Sequence, residues 1–100
     1  MKVTFLHTAD CHIWKTAINE LEEALTEAKL EIKYDVVQVT SQTQAEKLKF
    51  TGSPTVLING KNVDKMKRKI NQFTNSGCAI YFWKGKTYEY PPKEMITAAI

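Results

Sequence analysis

The 100-residue chain has two thiols, Cys11 and Cys78. Cys11 lies in Thr8-Ala9-Asp10-Cys11-His12-Ile13-Trp14, between a strand-like run and a long amphipathic pattern. The start of a helix presents unsatisfied amides and the positive end of the helix dipole, both of which favour an anion. A cysteine placed there is favoured as the thiolate, the form that attacks disulfides. Asp10 opposes that effect, and His12 assists it only when protonated. The competing account is a small hydrophobe tucked beneath the helix. His7, Cys11 and His12 also offer imidazole and thiolate donors, which suit zinc or copper. A closed zinc site would need its fourth ligand from Asp10 or a second chain, so no metal is assigned.

These residues depend on the elements around them. Lys2 to His7 has the pattern of a short strand. Trp14, Ala17, Ile18, Leu21, Ala24, Leu25 and Ala28 then recur at i, i+3, i+4 and i+7, which predicts one buried helical face with the glutamates largely opposite. Tyr34 to Thr40 has the β-branched density of a strand, and its distance from the first strand fits a right-handed parallel crossover. The opening is therefore read as a βαβ unit. Ser41 to Gln44 has capping-box spacing before Ala45, Leu48 and Phe50, predicting a short helix that ends near Gly52.

Pro54-Thr55-Val56-Leu57-Ile58 reads as a buried strand entered through a proline and closed by the turn Asn59-Gly60. Val63, Met66, Ile70 and Phe73 recur at helical spacing. They predict a helix with Lys65, Lys67, Arg68 and Lys69 on its solvated side, ended by Asn75-Ser76-Gly77. Ala79 to Trp83 and Thr87 to Tyr90 flank Lys84-Gly85-Lys86 at hairpin spacing. Tyr81, Trp83, Tyr88 and Tyr90 give that hairpin an aromatic face, read as core or pairing face rather than a base-stacking platform. After Pro91-Pro92, residues Met95, Ile96, Ala99 and Ile100 fit a short terminal helix.

Gly52-Ser53-Pro54-Thr55-Val56-Leu57-Ile58-Asn59-Gly60-Lys61 resembles the cis-proline strand of thioredoxins and glutaredoxins, and it follows the strand-cysteine-helix opening at the spacing of that superfamily. The resemblance covers nearly the whole chain in element order. It implies a thioredoxin-like α/β fold spanning residues 1–100: a βαβ unit, then a β-hairpin half, in a four- to five-stranded mixed sheet flanked by helices. It also implies a cis bond before Pro54, a loop facing Cys11, and backbone at Ser53 that pairs with an extended partner. A cis bond in a tight turn is largely a proline feature, and such pairing is a form of β-strand addition. Asp10, His12, Trp14, Ser53 and Pro54 would then form the groove around a catalytic Cys11.

The sequence departs from the family where Cys11-His12-Ile13-Trp14 places tryptophan at the second position of a C-x-x-C pair. Release of a mixed disulfide would therefore need glutathione, another protein or Cys78. The glycine pair that serves glutathione in many glutaredoxins is also missing. Cys78 is read as the buried first residue of a strand antiparallel to the proline strand, about 16 Å from the Pro54 end at 3.3 Å per residue. Bridged cysteines need Cα atoms within about 7 Å, so no Cys11–Cys78 disulfide is expected.

Composition bounds the remaining classes. With 43% hydrophobic and 25% charged residues, the chain reads as one soluble globular domain. A net charge of +3 implies no nucleic-acid partner, and no apolar stretch has the length of a signal peptide or membrane span. The expected setting is a cytoplasmic monomer acting on a protein or peptide thiol or disulfide. Three functions remain open at this point: thiol-disulfide exchange through Cys11 alone, a redox-inactive module that binds a peptide or protein in the same groove, and binding of a metal or thiophilic ligand.

Overall fold

A computed structural model describes residues 1–31, 33–70, 72–73 and 77–100. Strand β1 (Val3–His7) is buried along its whole length, because it lies at the centre of the sheet with both faces covered. On one side it pairs in parallel with β2 (Tyr34–Gln38), Val3 opposite Tyr34 and His7 opposite Gln38. On the other side it pairs antiparallel with β3 (Thr55–Ile58), Val3 opposite Ile58 and Leu6 opposite Thr55. A two-residue strand, β4 (Lys61–Asn62), completes the order β2-β1-β3-β4. The βαβ opening is thus formed as expected, its crossover being α1 (Trp14–Glu27).

Alternation along the strands divides the interior into two clusters. Val3, Phe5, Val56 and Ile58 face Ala17, Leu21, Ala24 and Leu25 of α1, together with Met95 and Ile96 of α3 (Lys93–Ala99). Leu6 and Leu57 point the other way, toward Val39 and toward Ala45 and Phe50 in and after α2 (Gln42–Leu48). Lys93 fastens α3 to α1: its backbone N–H donates to Glu20 Oε2 at 2.7 Å, and its ammonium lies 3.1 Å from Glu27. The ion pair is largely solvated and worth little beside the apolar contacts.

At the start of α2, the Gln44 N–H donates to Ser41 Oγ at 3.2 Å, while Gln44 Oε1 accepts the Thr40 N–H at 2.9 Å. The reciprocal cap expected from the Ser41–Gln44 spacing therefore forms with its return bond one residue upstream. A cap of this kind is worth about 1 kcal/mol. The helix stops at Lys49, a left-handed residue with φ 57°, before Gly52 is reached.

The second half of the chain differs from expectation. Asn59 and Gly60 both have positive φ, 53° and 80°, the backbone of a tight hairpin turn, which sends Lys61–Asn62 straight back along β3 instead of into a helix. The basic run forms only a turn of 3₁₀ helix, Lys65–Lys69. Asp64 Oδ1 accepts the Met66 N–H at 3.0 Å and Asn62 O accepts from Arg68 Nε at 2.7 Å, which fix this tighter path. Of the apolar spacing that suggested a helix, Val63 is buried, whereas Met66 and Ile70 are exposed. Asn75 and Ser76, read as part of the terminator, lie outside the described residues.

β5 (Tyr81–Trp83) and β6 (Lys86–Tyr88) form the expected hairpin, but as a separate two-stranded sheet. Tyr81 is fully buried, and Trp83, Tyr88 and Tyr90 pack on the first cluster. The aromatic face is therefore a packing face. Among the described residues, no helix is long and apolar enough to cross a membrane.

Candidate functional site

The residues singled out by sequence meet at the end of β1. Helix α1 begins at Trp14 with Ile13 as its cap, so Cys11 stands ahead of the helix in the turn Thr8–Ile13 rather than within its first turn. The Cys11 N–H donates to Thr8 O at 3.3 Å, and the Thr8 N–H donates to Ser53 Oγ at 3.1 Å. The cysteine turn is therefore fastened to the residue before Pro54. The Ser53–Pro54 bond is cis, as expected.

Tyr81 joins the same site from β5. Its hydroxyl donates to Pro54 O, and burial pushes its phenol well above the ordinary range. A hydrogen bond with Thr55 opposes that push, while Asp64 and Cys11 reinforce it. Tyr81 therefore remains a protonated donor, within electrostatic reach of Cys11. Thr55 Oγ1 in turn donates to Gly52 O at 2.6 Å.

The expected groove is closed. Cys11 is only 5% exposed, and Ser53 and Pro54 are buried. Asp10 and His12 are exposed, and His12 lies 3.7 Å from Glu89 across a solvated gap. Trp14 is half-buried and stacks on His7, with ring centroids 4.8 Å apart and planes 13° apart. His7 itself is buried, with Nδ1 3.0 Å from Thr8 O. This accounts for His7 as a packed, hydrogen-bonded histidine; among the described residues no group of three or more His, Cys, Asp or Glu side chains is arranged to hold a metal ion.

What closes the groove is the chain itself. Ser53 N–H donates to Gly77 O at 3.1 Å, and Ala79 N–H donates to Ser53 O at 3.0 Å, so Ser53 and Cys78 form an isolated parallel bridge. The placement of Cys78 at the sheet end remote from Pro54, in a buried strand, is thereby overturned: it is exposed and sits beside Ser53. That placement assumed that the segment after Gly77 pairs along β3, a place taken by β4. Gly52 makes the approach possible. It has φ +132°, and a Cβ there would come within 3.0 Å of the Ala79 nitrogen. Both cysteines are free thiols.

Thr8 and Tyr81 lie at the site although sequence reasoning did not single them out for it, and Cys78 lies there although sequence reasoning placed it elsewhere. The hydroxyl of Ser53 accepts the Thr8 N–H, and its removal has a defined cost. Ser53→Ala leaves the buried Thr8 N–H unpaired and should lower stability by about 1–3 kcal/mol in chemical denaturation. A loss under about 0.5 kcal/mol, the range of an ordinary surface substitution, would mean that the bond does not hold the turn.

Two surface grooves lie away from these residues. One, of about 240 Å³, is lined by Asp64, Phe82, Trp83 and Met95. The other, of about 230 Å³, is lined by Lys61, Lys67 and Arg68. Neither includes Cys11.

No curated protein and no solved structure matches the chain. A family model described as "Domain of unknown function (DUF2703)" matches residues 10–100, from the cysteine turn to the last residue of the sequence. The chain therefore belongs to the DUF2703 family.

Proposed function

We propose that this chain is a thiol-disulfide exchange protein acting through Cys11 within a thioredoxin-like arrangement. The arrangement is supported by the parallel β1-α1-β2 unit, the β3-β4 hairpin on the opposite side of β1, and the closing α3. The observation that carries the functional reading is the bond from Thr8 N–H to Ser53 Oγ, which holds the Cys11 turn against the Ser53-Pro54 loop. In this reading the Cys11 thiolate attacks a disulfide of a peptide, a protein or glutathione. Asp10 and His12, being exposed, meet the partner first, while Trp14 forms the wall beside the sulfur. Ser53 and Pro54 support the turn from beneath.

A second reading is favoured by one specific observation, the 5% exposure of Cys11. It is a module that binds a peptide or protein at this site without redox chemistry, with Cys11 as a packing residue.

Reaction of the native, reduced protein with a disulfide-containing peptide, followed by peptide mass mapping, separates the two. Exchange predicts that Cys11 of the folded protein is consumed and a peptide thiol released, Cys11 ending in a disulfide. A Cys11 that reacts only after unfolding, with peptide binding retained, would overturn exchange in favour of the binding module.

A further inference from the structure

Ser53 has no free backbone hydrogen-bonding group for a partner strand, because Gly77 O and Ala79 N–H already occupy its N–H and C=O. The segment Gly77-Cys78-Ala79 thus lies where the exchange reading would seat a substrate, and it carries a thiol. Residues paired directly across a β-bridge are about one strand spacing apart, roughly 4.8 Å, with side chains on the same face. The Ser53 side chain on that face accepts the Thr8 N–H, the bond that holds the Cys11 turn. Cys78 therefore projects to the side of the Ser53 loop on which the turn bearing Cys11 is held. One thiol is buried there and the other exposed.

We propose that Cys78 is the resolving thiol for Cys11, so that the two form a redox pair across the Ser53 loop in place of a C-x-x-C motif. The inference rests on the exchange reading given above. In the first step, Cys11 thiolate attacks a disulfide R–S–S–R′; a Cys11–S–S–R bond forms, and R′S⁻ leaves and takes a proton from water. Cys78 thiolate then attacks the Cys11 sulfur. The bond to R breaks, RS⁻ leaves and is protonated, and a Cys11–Cys78 disulfide remains. The substrate has gained two electrons and the protein has lost two; a dithiol, or two equivalents of a monothiol such as glutathione, restores the reduced form.

Two features of the site suit the second step. Two backbone bonds and the buried Ala79 side chain hold the segment bearing Cys78 against the loop, which keeps its thiol at the site. Its thiol is also exposed, as an attacking group that must reach a newly formed adduct requires.

The test uses the full chain in its reduced form, with a disulfide-bonded peptide as probe, and follows both released thiols and intact protein mass. The wild type is expected to release both peptide thiols and end lighter by two hydrogens, with Cys11 and Cys78 both unavailable to alkylation. Cys78→Ser is expected to stop at the Cys11 mixed disulfide, its release of the second thiol slowed by at least about a hundredfold through loss of an intramolecular nucleophile. Because Cys78 is exposed, the serine variant should fold as the wild type does, and circular dichroism checks this.

Release of both thiols by Cys78→Ser at the wild-type rate would overturn the resolving role and leave exchange at Cys11 intact. Trapping of the peptide on Cys78 in a Cys11→Ser protein would reverse the two roles and so contradict the assignment. No released peptide thiol from the wild type and no adduct on Cys78→Ser would bring down the exchange reading itself.

Discussion

Cys11→Ser should abolish reduction of a disulfide-bonded peptide, lowering the rate by at least about a thousandfold, because a serine hydroxyl does not replace a thiolate as the attacking group at neutral pH. The substitution is nearly isosteric, and neither polar contact of the turn uses the Cys11 side chain: Cys11 N–H donates to Thr8 O and Thr8 N–H to Ser53 Oγ. Burying a hydroxyl in place of the thiol should cost about 1 kcal/mol, a fall of roughly 4–8 °C in melting midpoint that leaves the protein folded. A thiol-release assay with a dithiol as terminal reductant reads the first quantity and circular dichroism the second. Unchanged turnover in a folded Cys11→Ser protein would remove Cys11 from the chemistry.

The second large effect is on stability. Phe5 is fully buried in the central strand, facing α1 and α3. Phe5→Ala removes its ring from a site enclosed on every side, and such truncations cost about 3–5 kcal/mol. For a domain of this size a loss of about 4 kcal/mol corresponds to a fall of roughly 20 °C in melting temperature. It is a large part of the 5–15 kcal/mol that typically separates folded from unfolded states. Guanidinium denaturation of the two proteins measures it directly, and a difference below about 1.5 kcal/mol would mean that Phe5 is not enclosed as described.

The elements that the sequence made legible are those whose signals are local. The face of α1 repeats Ala17, Leu21, Ala24 and Leu25 at helical spacing, and these four are its buried residues. Ser41 caps α2 with its own hydroxyl, three residues from the amide it accepts. Pro54 marks the entrance to β3, and its cis bond agrees with the sequence reading.

The failures have a common cause in contacts that no short window contains. Val63, Met66 and Ile70 have helical spacing, yet the pairing of Leu57 with Asn62 commits the chain to a hairpin, and the remaining turn is too short to bury Met66. Asn59-Gly60 was legible as a turn; that it folds Lys61–Asn62 back on β3 depends on the free edge of that strand, which is a property of the sheet. Cys78 was misplaced for the same reason. Its neighbour across the bridge, Ser53, is distant along the chain, and what admits it is the absence of a side chain at Gly52 opposite Ala79. The separation of Cys11 from α1 is smaller in scale: the capping position falls on Ile13, so the turn that carries the thiol is longer than the helical pattern alone suggests.

The juxtaposition of these segments is open to direct measurement by nuclear magnetic resonance on the reduced, isotopically labelled protein. Cross-peaks are expected from the Thr8 amide to the Ser53 β protons and from the Ala79 amide to the protons of Ser53, with both amides slow to exchange with solvent. A freely exchanging Thr8 amide with no cross-peak to Ser53 would place the Cys11 turn away from the loop and contradict the site.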